Sequence, residues 1–332
     1  PAYDIYARAP EGEERTITGL LPQMYPYQHL GAYSFMFFKM FFPGLQLWQY
    51  LIYLPAFLAS LMAIPAYLIG RLIYDKRAGV LAAFFMVFDI TIVSRTLGGD
   101  PDSDALQLLV SLIVLTIFLY TYKYIEVKKA LDKRAILYSV LTGISLGVWS
   151  HTWIGYWYIV WIILGVFILK VVIESAMKRS PAFKENVPLA LSYLIFFSVF
   201  LLLFILPVYG INRVAYTFLG PLEFQDIKGE TGRQFPNVGV SVAELQGSGS
   251  LKEIIQRSSA VDFSQNPLAI LFSPFVIMIY TMFYLGYSFV KTKKHFVTLL
   301  VLLIWFIGPI LASLVAVRFS ILFSQPIAIG LG

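Results

Sequence analysis

The sequence predicts an all-α integral membrane protein that crosses the bilayer several times. Three observations carry that reading. Of its 332 residues 58% are hydrophobic and only 13% charged, with a mean hydropathy of +0.75, whereas soluble domains are roughly half apolar and a quarter charged. Apolar runs of spanning length alternate with short polar turns. The basic residues gather in every second turn.

The runs lie at about 47–70, 78–93, 105–122, 135–149, 153–169, 187–209, 267–290 and 296–316, and another begins near 320. The pair around 135–169 turns so tightly at SHT (150–152) that it reads as two passes or as one re-entrant pair. Either choice leaves the parity of later turns unchanged. Before the first run, LGAYSFMFFKMFF (30–42) reads as an interfacial helix at the end of a first external segment, 1–46. The chain opens on Pro1 and closes inside an apolar run soon after Arg318. A longer protein is therefore expected, with this chain forming one transmembrane domain of it.

Charge assigns the sides. Turns 71–77, 123–134, 170–186 and 291–294 hold fifteen of the 25 basic residues and five of the 19 acids. The positive-inside rule makes these turns cytoplasmic. The segments 1–46, 94–104, 150–152 and 210–266 and the turn at Arg318 then face outward with the other acids, Asp89 counted among them. The net charge of +6 belongs to membrane-flanking turns and is not a nucleic-acid surface. With no cysteine, a metal would be held by oxygen or imidazole ligands, which favours hard cations such as Mg²⁺ or Mn²⁺.

Chemistry is expected at three outer places. SRTLGGDPDSDAL (94–106) puts Asp100, Asp102 and Asp104 within five residues, with Arg95 just upstream. Carboxylates at i and i+2 in a turn can converge on one cation that also takes phosphate oxygens. Acids before a helix also act as N-caps, which accounts for one of them or two. In the 57-residue segment 210–266, NVGVSVAELQ (237–246) carries Glu244, one of several loop acids that composition does not separate. In VRFS (317–320), Arg318 is either a snorkelling interfacial anchor or a binder of a lipid phosphate. His151 sits in a tight outer turn within the aromatic run WSHTWIGYWYIVW (149–161), an interfacial belt or a sugar-stacking platform. His29, His151 and His295 lack zinc-site spacing. Asp89, inside an apolar run, is costly unless satisfied and is a lesser site candidate.

In this order the segments resemble the catalytic subunit of oligosaccharyltransferase, in its archaeal (AglB-like) and bacterial (PglB-like) single-subunit forms. YPYQ (25–28) resembles the element that closes the family's first external loop, and S-R-T…G…D-x-D (94–104) its second acidic motif. SVAE (241–244) is similar to its large-loop glutamate motif, and VRF (317–319) to its donor-phosphate arginine. The resemblance implies a polytopic GT-C fold in a prokaryotic cell membrane, archaeal by preference, its site facing outward. It also implies en bloc transfer of a glycan from a polyprenyl or dolichyl (di)phosphate to the asparagine of N-x-S/T. Asp102, Asp104 and Glu244 would hold the metal, with Glu244 also at the acceptor amide, Arg95 beside the site and Arg318 on the lipid phosphate. Asp100 has no family counterpart and stands as an alternative ligand. The family's first metal-binding aspartate and its W-W-D-Y-G domain have no match in this stretch. A different lipid-phosphate-sugar glycosyltransferase, or a transporter built around Asp89, would share the spans.

Overall fold

In the computed structural model the described residues are 25–96, 103–178, 186–230, 251–259, 270–271, 273–292, 296–315, 319 and 321–332. Among them every regular element is helical. In chain order they are α1 (Tyr25–Phe41), α2 (Leu47–Leu61), α3 (Ala63–Ile73), α4 (Lys76–Phe88), α5 (Ile90–Arg95), α6 (Asp104–Lys128) and α7 (Lys133–Thr152). Then follow α8 (Trp157–Lys178), α9 (Val187–Tyr209), α10 (Ile211–Glu230), α11 (Leu251–Ser259), α12 (Pro274–Thr292), α13 (Phe296–Val315) and α14 (Ile321–Leu331).

Among the described residues, seven helical stretches are long and apolar enough to cross a membrane: 47–73, 76–95, 104–128, 157–177, 187–209, 274–291 and 296–313. The fold agrees with the hydropathy reading and refines it. The first two runs are each broken once, at Met62 between α2 and α3 and at Asp89 between α4 and α5. The run expected from 267 starts its helix only at Pro274. α7 is long enough at 20 residues but carries Ser139, Thr142, Ser145 and Ser150 on buried positions, which keeps it outside the seven. It and α8 are joined by a single 3₁₀ turn, Ile154–Tyr156.

α6 is the central helix. It packs against α2, α3, α5, α7, α8, α9 and α14, and most of its span is buried. Because hydrocarbon offers no hydrogen-bond partners, polar groups on such a helix must pair with one another. They do: Thr121 shares a 3.0 Å bond with Thr142 of α7, and Ser139 of α7 a 2.6 Å bond with Ser192 of α9. The fully buried Gln325 of α14 donates from Nε2 to the Leu108 carbonyl at 2.8 Å and to Ser111 Oγ at 3.1 Å.

Small residues let backbones meet. A Cβ at Gly79 of α4 would lie 2.7 Å from the Tyr67 carbonyl of α3, and one at Gly143 of α7 would lie 2.6 Å from the Phe196 carbonyl of α9. Each position is reserved for glycine by that close approach.

The basic turns 71–77, 123–134 and 170–186 meet at one end of the bundle. Lys123 Nζ donates to the Leu72 carbonyl at 2.7 Å. The buried Lys170 pairs with Glu126 at 3.2 Å and Glu174 at 2.9 Å, and Glu174 also accepts from Asn186 Nδ2. Asp75 and Asp132 cap α4 and α7 there. The Ala135 N–H holds the exposed Asp132 carboxyl below its usual range, so that cap is charged at neutral pH.

Gln325→Leu keeps the volume but removes the lock on α6 and leaves the Ser111 hydroxyl with fewer partners. A loss of about 1–2 kcal/mol is expected, read as a lower midpoint in thermal unfolding of the detergent-solubilised protein. An unchanged midpoint would show that the lock is energetically idle.

Candidate functional site

The site is built at the end opposite the basic turns, beginning with Asp89. Its backbone is extended and its Oδ1 accepts from the N–H groups of Thr91 and Ile92, both at 3.0 Å. An acid inside an apolar run thus ends one helix and caps the next. The Ser324 hydroxyl of α14 is a close neighbour of the carboxylate, short of hydrogen-bond geometry. This use satisfies Asp89 locally, as the cost of an acid at that depth requires.

The helix so started, α5, is six residues long and ends at Arg95, which is half-buried. Its Ile92 and the following Thr96 are buried, and Thr96 Oγ1 donates to the Ile92 carbonyl at 2.8 Å. α5 packs on α2, α4, α6, α11 and α14. Six residues beyond Thr96, α6 opens with Ser103 and Asp104. Asp104 is buried in the first turn, where the helix dipole favours a negative charge. The Gln107 side chain donates to Ser103 Oγ at 2.8 Å. Arg95 and Asp104 therefore close the two ends of one short acidic loop.

The segment expected as one long outer loop, 210–266, contains two helices. α10 packs along α8. α11 buries Ile254 and Ile255 and packs on α5, α12 and α13, which ties the end of this segment to the helix that carries Arg95.

A second group surrounds the α7–α8 turn. His151 Nδ1 lies 2.9 Å from the Gly147 carbonyl, so with that nitrogen donating the other is left as an acceptor. The His151 ring packs 5.3 Å from that of Tyr209. Trp153 lies 6.4 Å from Phe319, the residue after Arg318. Trp149 Nε1 donates to the Tyr156 carbonyl and Trp161 Nε1 to that of Phe218, so two indoles of the aromatic run serve as struts. Burial holds the Tyr156 phenol above its ordinary pKa, keeping it a neutral donor.

Of the residues expected to act, Arg95, Asp104 and His151 are described at this end, the first two on helices that pack against each other. Asp100, Asp102, Glu244 and Arg318 lie outside the described residues. Among the described residues no group of three His, Asp or Glu side chains converges as a metal site. Sequence reasoning passed over Arg213, which the structure surrounds with tyrosines. Tyr209 and Tyr216, four positions before it and three after, were the available signal.

The family model for oligosaccharyl transferase STT3, N-terminal, matches residues 22–332. The chain belongs to that family. A search of curated proteins gives no match. Solved structures of Archaeoglobus fulgidus oligosaccharyltransferase share the fold. The complex with Zn and sulfate aligns at a TM-score of 0.62 with 22% identity, over 92% of this chain and 39% of that one. AglB from the same organism, with an inhibitory peptide and a dolichol-phosphate, gives 0.57 at 20% identity over 92% and 41%. The form tethered to an acceptor peptide containing the NVT sequon gives 0.57 at 19% over 92% and 40%. The chain thus spans about two fifths of the length of these neighbours. Its polytopic, all-helical architecture is that of the family's transmembrane part.

Asp89→Ala should cost about 1 kcal/mol of stability through the lost cap, while Asp89→Asn, which keeps a side-chain carbonyl acceptor, should retain most of it. Thermal unfolding of the three proteins side by side checks this. Equal losses for Ala and Asn would mean that the negative charge and not the cap is what α5 requires.

Proposed function

We propose that this chain is the membrane part of an enzyme that moves a glycan en bloc from a polyprenyl or dolichyl (di)phosphate to the asparagine of N-x-S/T sequences, on the external face. The match of the family model along nearly the whole chain carries the reading. The buried Asp104, in the first turn of a helix that packs on the one ending at Arg95, supports it. The dolichol-phosphate and the sequon peptide named for the solved neighbours are the two substrate classes it requires. The outward placement rests on the basic turns, which gather at the end away from Asp104.

In the reaction the bond from the first sugar's anomeric carbon to phosphate oxygen breaks and the phosphate leaves with the electron pair. A bond from the same carbon to the amide nitrogen forms, and that nitrogen loses a proton. The amide is a poor nucleophile because its lone pair is delocalised into the carbonyl. Carboxylates that accept its N–H groups weaken that delocalisation and orient the lone pair. Glu244 would do this for the acceptor. It lies seven residues before α11, within about 24 Å of it along the chain, and α11 packs on α5.

A divalent cation, Mg²⁺ or Mn²⁺, would be held by Asp102, Asp104 and Glu244, with Asp100 as an alternative ligand. A carboxylate buried at a helix start, in a chain without cysteine, fits a hard cation. When bound, such an ion neutralises charge on the departing phosphate. Arg318 would grip the same phosphate through its planar fork of donors, and Arg95 would offset the carboxylates. Asp89 serves as the cap of α5 through Oδ1, a structural use that needs no transported ion.

In the complete enzyme, Glu244→Gln should reduce glycan transfer to a sequon peptide by about a hundredfold or more with little change in thermal stability. Full activity would overturn the assignment of Glu244. Removal of divalent ions with EDTA should abolish transfer, and Mn²⁺ or Mg²⁺ should restore it. Transfer that persists in EDTA would remove the metal from the proposal.

A further inference from the structure

Arg213 lies in the first turn of α10, just past the helix break at Gly210, whose φ is +77°. Its guanidinium carbon is 4.0 Å from the ring centroid of Tyr216, 5.5 Å from that of Tyr156 and 5.6 Å from that of Tyr209. Nε and Nη2 are buried without hydrogen-bond partners. Among the described residues no carboxylate pairs with it; the ion pairs found there belong to Lys170.

An arginine cannot shed its charge and carries five N–H donors. Ring faces attract the cation, yet they accept few of its hydrogens and supply no counter-charge. A partly buried guanidinium of this kind is complete only with an anion. The hydroxyls of Tyr156 and Tyr209 make hydrogen bonds elsewhere, and Tyr156 Oη also lies 3.4 Å from the Arg213 carbonyl. Tyr156 Oη shares a 2.8 Å bond with Thr217 Oγ1, and Tyr209 Oη donates toward the Ser150 carbonyl at 3.5 Å.

The depth of the cage identifies the anion's class. Tyr156 belongs to the turn between Trp153 and Trp157, within an aromatic belt of the kind that marks the headgroup level of a bilayer. Phosphate esters of lipids are the anions found there. The cage is also joined to the segment of Arg318. Trp149, bonded to the Tyr156 carbonyl, packs 5.7 Å from Trp153, which in turn meets Phe319.

We infer that Arg213 and its three tyrosines form a binding site for a lipid-borne phosphate, and that the phosphate belongs to the isoprenoid-linked glycan donor. The source of the phosphate rests on the function proposed above. A bulk phospholipid offers the same chemistry, so the test separates the two.

The measurement uses the complete enzyme in detergent, varying lipid-linked glycan at saturating sequon peptide and then the reverse. Binding of unglycosylated dolichyl phosphate and of phosphatidylglycerol is followed separately by native mass spectrometry. Arg213→Gln should raise the KM for the donor about tenfold, leave the peptide KM unchanged and weaken dolichyl phosphate binding by a similar factor. Arg213→Lys should recover part of both. Tyr216→Leu, which removes one wall and keeps the cation, should shift donor KM in the same direction and serves if Arg213→Gln fails to fold. An unchanged donor KM in a folded, active Arg213→Gln enzyme would overturn the site, as would equal rises in both KM values with a lowered melting temperature. Equal loss of phosphatidylglycerol and dolichyl phosphate binding would assign the site to bulk lipid and overturn the donor. A wild-type enzyme that turns over no lipid-linked glycan would sink the proposed function while dolichyl phosphate binding still decides whether Arg213 holds a lipid phosphate.

Discussion

A glutamine amide placed among apolar helices has two N–H groups and a carbonyl to satisfy, and Gln325 satisfies them on the central helix. The bonds from Nε2 to the Leu108 carbonyl and to Ser111 fix α14 against α6 at one point along their lengths. That point is one helical turn from Asp104 and one turn from the start of α14, close behind Arg318. Apolar packing alone sets no register, because leucine and isoleucine slide past one another at little cost in hydrocarbon. A polar lock does set it, since a shift by one residue would bury the amide unpaired. The relation between the start of α6 and the start of α14 therefore depends on this contact.

The same logic explains the uneven distribution of polar residues along α6 and α7. The central helix is held by Gln325 near its start and by Thr121–Thr142 near its finish. Just beyond, Glu126 reaches the buried Lys170 of α8. Between these points its buried residues are largely aliphatic and aromatic. α7 spends serine and threonine hydroxyls on both neighbours, which lowers its hydropathy without making it a surface helix. Such locks are each worth only about 0.6–2 kcal/mol. Spread along one helix, they hold α6 firmly enough to keep Asp104 in place.

The spans were legible because bilayer thickness imposes a length and a composition that survive in the sequence whatever packs against what. The breaks at Met62 and Asp89 were not, because a run of apolar residues reads the same whether its helix is straight or restarted. Asp89 looked like a potential functional acid; only the N–H groups of Thr91 and Ile92 reveal it as a cap. The segment 210–266 looked like a loop because its mean polarity is high, yet α10 and α11 are helices whose apolar faces find partners on α8, α5, α12 and α13. For the acidic loop, SRT…D-x-D was readable as a pattern, and the structure adds that Arg95 and Asp104 close its two ends. Arg213 escaped notice because one wall of its cage, Tyr156, is 57 positions away, and no local period records a contact of that range.

Two aspartates at helix starts, Asp89 and Asp104, show how one residue type takes two roles a short distance apart. At Asp89 the backbone is extended and one carboxylate oxygen, Oδ1, accepts from two amides of the helix it begins. Asp104 already lies inside α6, and the preceding Ser103 has a helical backbone and gives no side-chain cap. An acid there gains the favourable field of the helix start without being required as the cap itself. Its neighbourhood also differs: Asp89 is followed by a short helix packed on five others, while Asp104 follows the sequence that begins at Arg95. Asp104 is buried where, under the proposed reaction, a cation and a phosphate would share the cost of its charge, whereas Asp89 has Oδ1 bonded to the amides of its own helix. Backbone geometry and not residue type thus separates the capping acid from the one proposed for chemistry.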